Sequence, residues 1–183
     1  GPKPPQGEWL QVLGGRAFSL TSPRAEDVDF ETIATVLSRV PRFGGHTESG
    51  VLSVAQHSLE GAAAIRRDGH GDLAAAAFLI HDAHEAYMGD IATPVAKALI
   101  ALAEEWGDRQ AYRSGGLAGR SVSAAIRSLK LKLDVAIHEA AGIPFPLDPT
   151  TSQLVKEYDV RMMCTERKAR LLPPTTAGSA YAV

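Results

Sequence analysis

Cysteine is nearly absent from this sequence. Cys164 is the only one among 183 residues, so an internal disulfide and a cysteine-rich zinc site are both excluded. A cytoplasmic setting is the expectation that follows. A basic excess is missing as well: 19 lysines and arginines face 21 acidic residues, for a formal charge of −2. That balance advertises no nucleic acid polymer as partner, whereas a small nucleotide needs only a few local cations. Long apolar runs are also lacking. The stretch over 73–80 is short and alanine-rich, below the ~20 residues of a spanning helix, so no membrane partner is expected. The opening Gly1-Pro2-Lys3-Pro4-Pro5 has no apolar signal-peptide core. It reads, over 1–8, as a flexible N-terminus or a cloning remnant.

What is present suits one globular domain. Hydrophobic residues make up 45%, enough for a real core. Alternating apolar residues on either side of Gly14-Gly15-Arg16 predict a small β-hairpin. Acidic residues after Pro23 prepare a helix start, and Ile33, Val36, Leu37 and Val40 follow at helical spacing until Pro41. The segment 42–50, with three glycines, reads as a loop. Further helices are expected over 53–67, 72–88, from Thr93-Pro94 onward, 122–141 and 151–171. Residues 113–120 read as a mobile glycine-rich loop and 144–149 as a rigid connector. The fold class is therefore all-α, a helical bundle with a small N-terminal β-hairpin, with one domain over 9–172. Pro173-Pro174 stops the last helix, leaving an irregular tail over 173–183.

The chemistry concentrates in Phe78-Leu79-Ile80-His81-Asp82-Ala83-His84-Glu85. On a continuous helix His81 and Glu85 are four apart and Asp82 and Glu85 three apart, so these groups share one side. They leave from an apolar segment, where uncompensated charge is costly, and a divalent cation would compensate it. His57 lies on another small, apolar helical segment, and Asp159 near the middle of the last helix. Such a mixed histidine and carboxylate set suits a first-row divalent ion better than calcium. His84 with Glu85 misses the spacing of zinc proteases, because position 88 is Met. His46, His70 and His138 are expected at the surface or in loops, and Cys164, beside Met162 and Met163, in core packing.

The order His57, then His81-Asp82, then the distant Asp159 resembles the HD-domain phosphohydrolases. The likeness extends to their 5′-deoxynucleotidase branch, which includes YfbR- and YfdR-like proteins and phage dATP triphosphohydrolases. It is carried by Arg42-Phe43, by Ser53-Val54-Ala55-Gln56-His57-Ser58, by the run from His81 through Glu85 and Asp90 to Pro94, and by Lys156 three before Asp159. The resemblance implies one divalent metal ion (Co, Mn, Zn, Fe, Ni or Mg) on His57, His81, Asp82 and Asp159. It implies hydrolysis of a deoxynucleoside phosphate at the α-phosphorus, taking either a 5′-monophosphate or a triphosphate. Glu85 then orients or deprotonates the attacking water; as the competing reading, it only steadies a histidine. Asp90 stands beside the water or leaving group, or caps the next helix. Arg42 and Lys156 become phosphate clamps. Neither has an obvious acidic neighbour beyond Glu157 and Asp159, so both are expected free to face a ligand. Phe43 covers the base or sugar, or belongs to the core, and Pro94 lines the substrate site.

One departure is Ala96, where related sequences often carry a lysine; Lys97 follows it. The segment 107–122 also looks longer than in short members, as a lid, an oligomer contact or slack. A homo-oligomer, dimer or hexamer, is the implied assembly. Two other readings of the scaffold stand beside the nucleotidase. One is an alarmone or cyclic-dinucleotide hydrolase, although the Gly-Tyr-Pro signature of the cyclic di-GMP branch is absent. The other is a non-catalytic nucleotide sensor, against which the intact Glu85 and Asp90 speak.

Overall fold

The computed structural model describes residues 7–110 and 117–172. The expected hairpin is present: β1 (Trp9–Gln11) pairs antiparallel with β2 (Ala17–Ser19), with Leu10 opposite Phe18. The turn between them needs the left-handed backbone of Gly14 and Gly15. The α-helices of the described residues follow, joined by turns and loops: α1 (Phe30–Leu37), α2 (Val54–Arg67), α3 (Asp72–Ile80), α4 (Glu85–Met88), α5 (Thr93–Gln110), α6 (Leu117–Ala141) and α7 (Pro149–Arg170). No single helix there is long and apolar enough to cross a membrane.

Local chemistry explains the helix starts. Asp29 caps α1 by accepting from the Glu31 amide, and Asp148 caps α7 by accepting from that of Thr151. Ser53 and Gln56 form a reciprocal capping box at α2: the Ser53 hydroxyl accepts from the Gln56 amide, and the Gln56 side chain accepts from the Ser53 amide.

Two apolar clusters hold these elements together. One joins Phe18, Ile33, Leu37, Val54, Ile80, Tyr87, Leu133 and Ile137, with the Phe18 and Tyr87 rings stacked 3.9 Å apart. This is how the hairpin is fastened to the helices. The other joins Ile65, Ala74, Ala75, Ala77, Phe78, Val155 and Tyr158, so that α7 lies against α2 and α3. The Tyr158 hydroxyl donates to Asp68 at the end of α2, adding a polar tie to that contact.

Four expectations are corrected. The helix expected over 72–88 stops at Ile80 and resumes at Glu85. Between them the amides of His81, Ala83 and Glu85 bond three residues back, to Phe78, Ile80 and Asp82. The His81 side chain also takes the Phe78 carbonyl, at 2.6 Å, and competes there with the helical ladder. The expected loop over 113–120 is helical from Leu117. Gly119 is buried where α6 packs on α5, and a Cβ there would lie 2.2 Å from Glu104 Cγ; residues 111–116 lie outside the described residues, as do the tail over 173–183 and most of 1–8. His138 is buried, with Nδ1 donating to the Pro144 carbonyl and its ring edge-on to Phe145. Cys164 is exposed, because it falls on the outward side of α7.

Phe78 is the packing element nearest the functional residues. It is wholly buried, and its ring centroid lies 5.5 Å from that of His57 and 4.4 Å from that of His81. Across from it stands Gly61 on α2, where an added Cβ would sit 2.0 Å from Phe78 Cε1. Gly61→Ala is therefore expected to destabilise the protein by about 1–3 kcal/mol. The loss reads out as a lower urea midpoint with an unchanged slope; a wild-type midpoint would mean that the ring has room to move.

Candidate metal centre

Two helices and the turn after α3 bring the site together. His57 comes from α2, His81 and Asp82 from the turn, and Asp159 from α7. One ligand atom from each lies within 4.8 Å of every other. His57 Nε2 is 3.2 Å from Asp159 Oδ1, and His81 Nε2 is 3.1 Å from Asp82 Oδ2 and 3.8 Å from Asp159 Oδ1. His57 has no exposed surface, whereas the Asp159 side chain is 41% exposed, so the cluster opens to solvent on the α7 side.

The histidine tautomers follow from their partners. His57 Nδ1 lies 2.7 Å from Glu166 Oε1, and His81 Nδ1 lies 2.6 Å from the Phe78 carbonyl. A carboxylate and a carbonyl only accept, so each Nδ1 must carry the proton. Each Nε2 is then turned toward the carboxylates. Neither makes a hydrogen bond of acceptable geometry, although both are buried. Two inward-facing imidazole nitrogens and two carboxylate oxygens around one point are the donor set that a first-row divalent cation takes.

The electrostatics point the same way. Burial opposes charge on His81, but Asp82 and then Asp159 outweigh it and push its pKa up to about 10. Burial opposes charge on His57 too, and Asp159 and Glu166 raise it all the same. Asp82 and Asp159 would be raised by burial, yet the neighbouring histidines hold both well below the usual carboxylate range. Without a cation the cluster must retain protons to offset its carboxylates; a bound cation takes over that role.

The remaining candidate residues divide. Glu85 follows Asp82 by one tight turn, with Oε2 buried and unpartnered. Burial, then Asp82 and Asp90, push its pKa up to about 8. Asp90 is raised by burial, and it interacts with Arg42 and Asp82. Its capping role is corrected: α5 begins only at Thr93, and Asp90 makes no cap bond among the described residues. Asp82, His84 and Glu85 form a second close group, but the Arg42 guanidinium, 3.6 Å from Asp82 Oδ2, already supplies positive charge there.

Arg42 is not free, as the sequence had suggested. It is buried, its Nε donates to Glu166 Oε2 at 2.9 Å, and its backbone amide is fixed on the Leu52 carbonyl. Phe43 beside it adopts a left-handed φ of 57°, uncommon for a bulky residue, and its half-buried ring lies 5.7 Å from the Arg42 guanidinium carbon. Lys156 is exposed, one turn before Asp159, and has no hydrogen bond or ion pair among the described residues. Pro94 is exposed in the first turn of α5.

Two residues here escaped the reading of the sequence. Glu166 is buried and joins Arg42 to His57; it lies seven residues after Asp159, two turns along one face of α7, and that spacing was the available signal. Asp134, on α6, holds buried His84 through Nδ1 at 3.0 Å. Nothing local to Asp134 signals that pairing across 50 residues.

The raised Glu85 gives a signed prediction for the metal-free protein. Between its ordinary 4.5 and about 8, the folded protein keeps a proton that the unfolded chain has lost. Stability therefore falls as pH rises through that window. With a chelator present, Glu85→Gln is expected to raise Tm at about pH 8.5 and to leave it near wild type at about pH 5. Equal Tm values for the two proteins at the higher pH would contradict the assignment.

No family model matches the chain. It is 28% identical over 160 residues to the uncharacterized protein YfdR of Escherichia coli, covering 87% of this chain and 71% of that one. It is 39% identical over 154 residues to the uncharacterized protein RCAP_rcc00048 of Rhodobacter capsulatus, covering 82% of this chain and 67% of that one. With that identity over that length, the chain belongs to the same family as RCAP_rcc00048.

Proposed function

We propose that this protein is a metal-dependent phosphohydrolase of the HD-domain type, cleaving deoxynucleoside phosphates at the α-phosphorus. It acts either as a 5′-deoxynucleotidase, releasing phosphate, or as a deoxynucleoside triphosphate triphosphohydrolase. The observation that carries this reading is the convergence of two unpartnered imidazole Nε2 atoms with the carboxylates of Asp82 and Asp159. One divalent ion held by His57, His81, Asp82 and Asp159 would supply Lewis acidity at phosphorus and make a nearby water more acidic.

The chain's own groups do the rest. Glu85, in the charged form that a neighbouring cation favours, accepts a proton from the attacking water at Oε2, the atom left without a partner. Asp90, raised by burial, is suited to donate a proton on the leaving-group side. Arg42 has its Nε committed to Glu166 and offers its terminal nitrogens to a phosphate oxygen. Lys156, exposed at the side where the cluster opens, adds a second cation, and Phe43 gives a flat apolar surface for the sugar or base.

The test is phosphate or triphosphate release from a panel of deoxy- and ribonucleotides with several divalent metals, beside elemental analysis of the loaded protein. One ion per chain and turnover favouring deoxynucleotides are expected. Glu85→Gln should keep the ion and lose about 10²–10⁴-fold in turnover. An absence of bound metal in the wild type, or turnover of no nucleotide, ends this reading.

A homo-oligomer belongs to the same proposal. On α5, Val95, Leu99, Leu102 and Trp106 form an apolar stripe at helical spacing, each 47–70% exposed. Light scattering is expected to give a multiple of the chain mass, reduced toward one chain by Leu102→Glu with Trp106→Glu; a monomeric wild type rejects the assembly.

A further inference from the structure

Glu166 uses both oxygens of one buried carboxylate. Oε1 accepts from His57 Nδ1 at 2.7 Å, and Oε2 accepts from Arg42 Nε at 2.9 Å. The two partners belong to different parts of the candidate site. His57 turns its other nitrogen into the four-residue cluster, and Arg42 turns its guanidinium toward Asp82, 3.6 Å away. Glu166 itself is 5% exposed. The His57 ring is wholly buried, and its Nε2, 3.2 Å from Asp159 Oδ1, makes no hydrogen bond of acceptable geometry among the described residues, so the bond to Glu166 is the one that places a proton on Nδ1. Arg42, likewise, has no other hydrogen bond from its side chain among the described residues. A carboxylate is the one side-chain type of this size that accepts at both ends. An amide would accept at one end and oppose a donor with its own NH₂ at the other.

We propose that Glu166 is a positioning residue that sets the metal-facing tautomer of His57 and the placement of Arg42 together, so that the metal subsite and the phosphate subsite are coupled through one carboxylate. The proposal rests on the phosphohydrolase reading above and deepens it. Its consequence is linkage: ordering one partner orders the other, so metal and phosphate each strengthen the binding of the other.

The experiment uses the full chain with Co²⁺ alone and then with inorganic phosphate, followed by calorimetry and by nitrogen-15 NMR of the histidine rings. In the wild type loaded with Zn²⁺, a diamagnetic stand-in for Co²⁺ in the NMR arm, His57 is expected as a single Nδ1–H tautomer, and phosphate is expected to bind more tightly once Co²⁺ is loaded. Glu166→Gln is expected to weaken Co²⁺ by about 10–100-fold, to mix the His57 tautomers, and to remove the gain in phosphate affinity. Because that variant also removes a negative charge, Arg42→Lys serves as the charge-neutral companion, and it covers the case in which Glu166→Gln does not fold. It keeps the cation, loses the Nε donor, and is expected to weaken Co²⁺ several-fold although Arg42 is no ligand. A merely structural role for Glu166 predicts lower thermal stability with an unchanged Co²⁺ affinity and an unchanged His57 tautomer, and that pattern overturns the proposal. A wild type that binds no Co²⁺ overturns the metal-site reading as well. Normal Co²⁺ binding that neither variant alters removes this inference alone.

Discussion

A buried imidazole must have its Nδ1 satisfied before its Nε2 can be aimed, and that requirement organises this molecule. His57 has no exposed surface, so its partner must come from within the fold, and it comes from Glu166, more than a hundred residues later. Meeting that demand requires α7 to lie along α2 and α3 in one register. The same register delivers Asp159 to the open side of the cluster and Val155 and Tyr158 to the apolar cluster around Phe78. Packing and polar satisfaction thus reinforce one another. A buried carboxylate between a guanidinium and an imidazole has both of its oxygens used, which is the condition under which buried charge is tolerated.

Departures from regular backbone gather around this point. The helix carrying Phe78 gives way to tight turns where His81 and Asp82 enter the cluster. Phe43 takes a left-handed conformation beside Arg42, between a bridge from Pro41 to Ser53 and two glycines of positive φ. Irregularities of this kind persist only when surrounding structure over-determines them, and they concentrate where side chains must be aimed. Here the surrounding structure includes the Arg42 amide bond to the Leu52 carbonyl and the ion pair to Glu166.

Much of the fold was legible because its signals are local. The Gly14-Gly15 turn, Pro41, the acidic run that ends in the Asp29 cap and the spacing of Ile33 and Leu37 each act within a few residues, whereas the Asp148 cap lies in a stretch that read as connector. Part of the segment around His57 was legible for a structural reason: Ser53 and Gln56 are its capping box, and they fix where α2 begins and hence which way His57 points. The break after Ile80 was not legible, because it depends on a side-chain bond from His81 to the Phe78 carbonyl that competes with the helical ladder. The start of α6 was missed because glycines read as loop formers, whereas Gly119 is there for close approach to Glu104.

The sequence by itself determined the helical class, the hairpin and the residue types able to hold a divalent cation, since these depend on periodicity, turn chemistry and ligand preference. Only the tertiary structure decided that His57, His81, Asp82 and Asp159 share one point, because ligand atoms within 4.8 Å of one another come from segments as much as a hundred residues apart. It also decided that Arg42 is held rather than free. Its partner Glu166 stands 124 residues away, and no pattern in neighbouring residues records a charge pair that exists only once α7 has docked.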